Sequence, residues 1–113
     1  IAYSNSIKQE LLGVPKKLIQ VNGAVSREVV KAMALGTKKS LGSDWAIAIS
    51  GLAGPSGGSI LKPIGTVYIN ICGPKTEVSI CKQFGIHLNR VEIQKLSVLH
   101  ALDQLRLLLL TGS

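Results

Sequence analysis

From Asp44 to Ser50 the chain reads Asp-Trp-Ala-Ile-Ala-Ile-Ser. A continuous apolar run bounded by turn residues is the pattern of a buried central strand, and such a strand needs cover on each side. It empties into Gly51-Leu-Ala-Gly-Pro-Ser-Gly-Gly58, a loop with four glycines and a proline. Loops that follow buried strands are the usual ligand sites of α/β sheets. Glycines there let backbone N–H groups approach an anion without side-chain obstruction.

The flanking segments supply the cover. Ser4 or Asn5 caps an expected short helix to Leu12, with Gly13 at its end. Pro15 opens a second helical turn through Ile19, closed by Asn22-Gly23. Ser26 is an N-cap for a third helix to about Leu41, with Val29, Val30, Met33 and Thr37 at helical spacing. After the loop, Ile64–Cys72 and Glu77–Phe84 read as strands joined at Gly73-Pro74, which predicts an antiparallel pair. Asn89 with Glu92 makes a capping box for a long last helix, on which Val91, Val98, Leu102, Leu105 and Leu109 share a face. The order predicts one domain over residues 1–113, a three-layer α/β/α sandwich with a mixed sheet. Ile1-Ala2-Tyr3 reads as the tail of a strand, so the first strand and helix of that sandwich are expected to lie outside the sequence.

Charge and composition narrow the partners. Apolar residues make up 46% of the 113 and the net charge is +7, too apolar for disorder. The positive residues are scattered: no run exceeds two, as at Lys16-Lys17 and Lys38-Lys39, and there are only four aromatic residues. Nucleic-acid binders concentrate charge and interleave aromatics, so a nucleic-acid partner is disfavoured and a phosphate-bearing small molecule fits as well. No apolar run approaches the roughly 20 residues of a membrane span, and no secretory signal opens the chain. A soluble cytoplasmic protein is expected. Cys72 and Cys81 then stay reduced rather than forming a cross-strand disulfide. No short-spaced Cys/His cluster suggests a metal, and no cofactor is expected.

The string Ala2-Tyr-Ser-Asn-Ser-Ile-Lys8 resembles the Tyr-Ser-Asn-x-x-Lys segment of the CinA C-terminal domain family. Leu12-Gly-Val14, Asn22-Gly-Ala-Val-Ser26, Ala48-Ile-Ser-Gly-Leu-Ala-Gly-Pro-Ser-Gly-Gly58, Lys62-Pro-Ile-Gly-Thr-Val67 and Ala101-Leu-Asp-Gln-Leu-Arg106 follow in the family's order and spacing, over essentially the whole chain. Two departures stand out. The family's Glu-Ser-Cys-Thr-Gly-Gly turn, whose serine is its proposed nucleophile, is not in the sequence. At Phe84-Gly-Ile-His-Leu-Asn-Arg90 many members have a shorter Phe-x-Gly-Asp-Arg, so Asn89 stands where aspartate is frequent.

The resemblance implies a nicotinamide mononucleotide amidohydrolase of serine–lysine type. Lys8 matches the family's lysine and is the expected general base, a role that requires burial or nearby positive charge to lower its pKa; without the motif it would read as an exposed helical lysine. Tyr3, five residues earlier, is expected to relay a proton or orient it. Gly51, Gly54, Gly57 and Gly58 would shape the nucleotide pocket, with Ser50 or Ser56 adding hydroxyl donors and Thr66 and Arg90 lining it. Ser4, four residues before Lys8, could share its helix face as a nucleophile, but helix capping is the commoner role. His87, His100 and Trp45 are given no role, Trp45 reading as core. The competing reading is a non-catalytic nucleotide-binding or structural remnant. With the nucleophile absent, the 113 residues are expected to show little amidase activity. They are also expected to be poorly soluble, or to pair with a second copy across the open sheet.

Overall fold

The computed structural model describes Lys8 and residues 12–52, 62–85 and 87–111. The elements run α1 (Lys16–Asn22), α2 (Arg27–Leu41), β1 (Ala46–Gly51), β2 (Thr66–Cys72), β3 (Glu77–Gln83) and α3 (Arg90–Leu110). The three strands lie in the order β1-β2-β3, both pairs antiparallel, with Ala48 opposite Asn70 and Ile69 opposite Ile80. Among the described strands β2 is therefore central. The sequence reading gave that place to β1, because a run apolar at every position does not say which neighbours it pairs with.

Strand alternation separates two cores. Ala46 and Ala48 face α1 and α2, packing with Val14, Ile19, Val29, Val30, Met33 and Ala34. Val67, Ile69 and Ile71 face α3, packing with Ile93 and Ala101, and Trp45, Ile47 and Ile49 add to that side. The molecule is thus layered helix–sheet–helix, as the sequence predicts, but the sheet expected to be mixed is antiparallel throughout its described strands. Small side chains on the α2 side let helix and sheet approach closely. One more contact depends on size: a Cβ at Gly36, mid-way along α2, would collide with the Leu12 carbonyl oxygen. Glycine is tolerated inside this helix because the 12–14 segment lies directly across it.

The caps follow the sequence. Ser26 accepts from the Val29 N–H at 3.3 Å, Gly42 ends α2 with φ of 62°, and Asn89 and Glu92 exchange hydrogen bonds at 2.9 Å. The expected helix over residues 4–12 lies largely outside the described residues; Lys8 within it is helical.

Two readings change. The apolar row expected to pack α3 is largely exposed: Val91 55%, Val98 49%, Leu102 53% and Leu109 55%. The seated positions are Ile93, Ser97 and Ala101. The sheet face already carries three isoleucine and valine side chains, so the helix approaches with its small residues, and leucines stand on several of its sides. Cys72 lies opposite Glu77 and Cys81 opposite Tyr68, four positions apart along the hairpin. That is about 13 Å at strand rise, well beyond the ~7 Å Cα limit for a disulfide; both thiols are free.

Candidate functional site

Lys8 is 6% exposed. Its carbonyl accepts from the Val14 N–H at 2.9 Å, and Val14 belongs to the α2-side core with Ala46 and Ala48. Removal from water disfavours the Lys8 ammonium, and desolvation pulls its pKa down from the ordinary 10.5. This is the physical condition that a lysine base requires.

Ser50, Gly51 and Thr66 come together where the β1–β2 ladder ends. Ser50 lies opposite Tyr68 and Gly51 opposite Val67. The Leu52 N–H donates to the Thr66 carbonyl at 2.9 Å, and the Gly65 N–H donates to the Leu52 carbonyl at 2.6 Å. These two bonds close the neck of the glycine-rich loop. A Cβ on Gly51 would lie 2.9 Å from Val67 Cγ2, so the strand end meets its neighbour closely because the residue is glycine. Thr66 is 1% exposed and its hydroxyl donates to the Pro63 carbonyl at 2.7 Å. The Ser50 hydroxyl donates to the Ala24 carbonyl at 3.0 Å. Arg90 is exposed in the first turn of α3, in the layer on the opposite face of the sheet from α2. Tyr3, Ser4, Gly54, Ser56, Gly57 and Gly58 lie outside the described residues.

Beside this neck lies an open cavity of about 380 Å³ lined by Asn22, Ser26, Arg27, Lys62, Tyr68 and Cys81, among others. Tyr68 and Cys81 are a directly opposed cross-strand pair. Burial first, and then the neighbouring Cys81, raise the Tyr68 pKa. The Lys62 ammonium lies 5.7 Å from the Tyr68 ring centroid, within cation–π range. Sequence reasoning gave no role to Lys62, Tyr68 or the Asn22–Ser26 turn. Their signal was present in Asn22-Gly-Ala-Val-Ser26 and Lys62-Pro, but separation along the chain hid that these segments touch.

The family model described as CinA C-terminal domain matches residues 1–109. The chain belongs to the CinA C-terminal domain family. A CinA-like protein of Prochlorococcus marinus is 58% identical over all 113 residues, which cover 27% of that protein. One of Parasynechococcus marenigrum is 49% identical over 113 residues, again 27% of its length. The chain thus spans about a quarter of the curated relatives it matches. Among solved structures, the competence/damage inducible protein CihA from Agrobacterium tumefaciens superposes with a TM-score of 0.89 at 34% identity, over 94% of this chain and 64% of that one. A CinA superfamily protein from Escherichia coli gives a TM-score of 0.85 at 29% identity, over 92% and 59%. The α/β fold is therefore that of the CinA superfamily. Among the described residues no helix is long and apolar enough to cross a membrane.

Proposed function

We propose that this CinA-family domain carries the general base and part of the nucleotide pocket of an amidohydrolase that converts nicotinamide mononucleotide to nicotinate mononucleotide and ammonia. The observation that carries the proposal is Lys8: a family-motif lysine, 6% exposed, whose amine is made more easily neutral by desolvation. An amide is a poor electrophile with a poor leaving group, so its hydrolysis needs an activated nucleophile and a proton for the departing nitrogen. In the proposed reaction the neutral Lys8 amine takes the proton of a serine hydroxyl as its oxygen bonds to the carboxamide carbon. The proton passes to the nitrogen, ammonia leaves, and water hydrolyses the resulting ester. The serine belongs to the family's Glu-Ser-Cys-Thr-Gly-Gly turn, which residues 1–113 do not contain. A non-catalytic nucleotide-binding reading keeps the loop but gives a buried lysine no task.

The test joins this chain to a family Glu-Ser-Cys-Thr-Gly-Gly strand–helix segment and measures ammonia release from the mononucleotide. Lys8→Ala is expected to lower kcat by about 10²- to 10⁴-fold, the usual contribution of a positioned base. Near-normal turnover in that variant would overturn the assignment. The rate should rise with pH as Lys8 loses its proton, with an acidic limb below the ordinary 10.5.

A further inference from the structure

The turn between α1 and α2 has an unusual accounting of acceptors. Carbonyls at a helix end and in the following turn lack helical partners and must find donors elsewhere. Here four in succession receive side-chain donors. Lys62 Nζ donates to the Asn22 carbonyl at 3.2 Å and to the Val25 carbonyl at 2.6 Å. The Ser26 hydroxyl donates to Gly23 at 2.8 Å, and Ser50 donates to Ala24 at 3.0 Å. Ser50 stands near the end of β1, just before the glycine-rich loop, and Lys62 stands just after it. Both ends of the loop are therefore fastened to the same short turn, through the Asn22, Ala24 and Val25 carbonyls, some 26 to 40 positions away in sequence.

We propose that Lys62 is a positioning residue: with Ser50 it latches the two ends of the glycine-rich loop to the Asn22–Ser26 turn and so fixes the neck at Leu52 and Gly65 on which the nucleotide pocket is built. The pocket's role rests on the function proposed above; the latch itself does not. Lysine suits the task chemically. A tetrahedral ammonium offers three donors in divergent directions, which lets one group reach two carbonyls three residues apart. The Tyr68 ring centroid lies 5.7 Å from the same ammonium, and a cation near a helix C-terminus is favourably placed. Methionine would fill the same space with no donor. Arginine, planar and longer, would keep a donor while changing the reach. Ser50→Ala removes a single bond and is the milder cut.

Hydrogen exchange on the 113-residue chain reads the latch without reference to catalysis. Lys62→Met is expected to speed exchange at the Leu52, Gly65 and Thr66 amides and in the 23–26 turn by about 10-fold or more, as local opening there becomes easier. Amides in the centre of the β2–β3 ladder should change far less. Lys62→Arg should recover part of the protection and Ser50→Ala should lose less. In the chain joined to the nucleophile segment, Lys62→Met is expected to raise KM for the mononucleotide about 10-fold while changing kcat less, since a displaced pocket wall weakens positioning of substrate. Unchanged exchange at the neck amides in Lys62→Met, or equal acceleration across the whole sheet, overturns the latch. A latch seen by exchange in a protein that releases no ammonia from the mononucleotide would sink the amidohydrolase reading and leave the latch standing.

Discussion

The two helical layers make an instructive contrast. On one side of the sheet α2 buries Val29, Val30, Met33 and Ala34 to between 0% and 7% exposure, against Ala46 and Ala48. Its outer face carries Arg27, Glu28, Lys31 and Lys39, all exposed. On the other side α3, six residues longer, seats Ile93, Ser97 and Ala101, while Leu99, Leu102, Leu109 and Leu110 remain 53–72% exposed. The first helix has one apolar stripe and one place to put it. The second is apolar on several sides and meets only one surface within the chain. Amphipathic contrast, rather than total apolar content, makes a helix's seating readable; α3 has the leucines and lacks the contrast.

Substitutions can break that comparison, beginning with the largest expected effects. Met33→Ala on α2 and Ile93→Ala on the seated side of α3 should each lower unfolding stability by about 2–5 kcal/mol, the range for truncating buried aliphatic side chains. Denaturant melts would check this; equal mildness on both helices would mean that neither is tightly packed. Gly36→Val should cost about 1–3 kcal/mol or more through overpacking, because the Leu12 carbonyl occupies the space. Leu102→Ala and Leu99→Lys, on the bare side of α3, should stay within about 0.5 kcal/mol. The same two should reduce light scattering of concentrated solutions, since exposed apolar rows drive association. The smallest effect belongs to Lys31→Ala: its 3.4 Å contact with Glu77 joins side chains that are 64% and 33% exposed, and such surface pairs are worth about 0–1 kcal/mol.

Lys8 supplies a sharper test of the α2-side core through pH. Its folded-state pKa is lowered below 10.5, so between those two values the unfolded chain holds more protons than the folded one. Stability should therefore rise with pH through that window and level off above 10.5. Below the lowered value the charged amine is carried in both states and the burial penalty is present in full. Lys8→Met should accordingly gain stability at neutral pH, with the advantage shrinking as pH rises, measurable as a difference in Tm between pH 7 and pH 10. A variant whose Tm tracks the parent at both values would show that the amine is solvated.

The legible parts of the candidate site were those with local chemistry. Lys8 stood in a motif, and Gly51 followed an apolar strand. The Ser26 and Asn89 caps lie beside the residues they bond, as helix starts require, and Gly73-Pro74 joined two β-branched runs that pair as expected. The missed features depend on distance. Lys62 reads as one more surface cation among thirteen positive residues until the fold brings it to the Asn22 and Val25 carbonyls. The Ser50 hydroxyl donates to the Ala24 carbonyl, 26 positions away in sequence. Tyr68 and Cys81 are thirteen residues apart in sequence, and only strand register makes them neighbours.

By itself, then, the amino-acid order determined which segments are helix and strand, where the caps and turns fall, and that the layers must be helix, sheet, helix, because periodicity and turn chemistry act over a few residues. The tertiary structure decided which strand is central, which side of α3 is seated, and which carbonyls receive Lys62 and Ser50. Those outcomes are set by competition among surfaces and donors far apart along the chain, and no local pattern records the result.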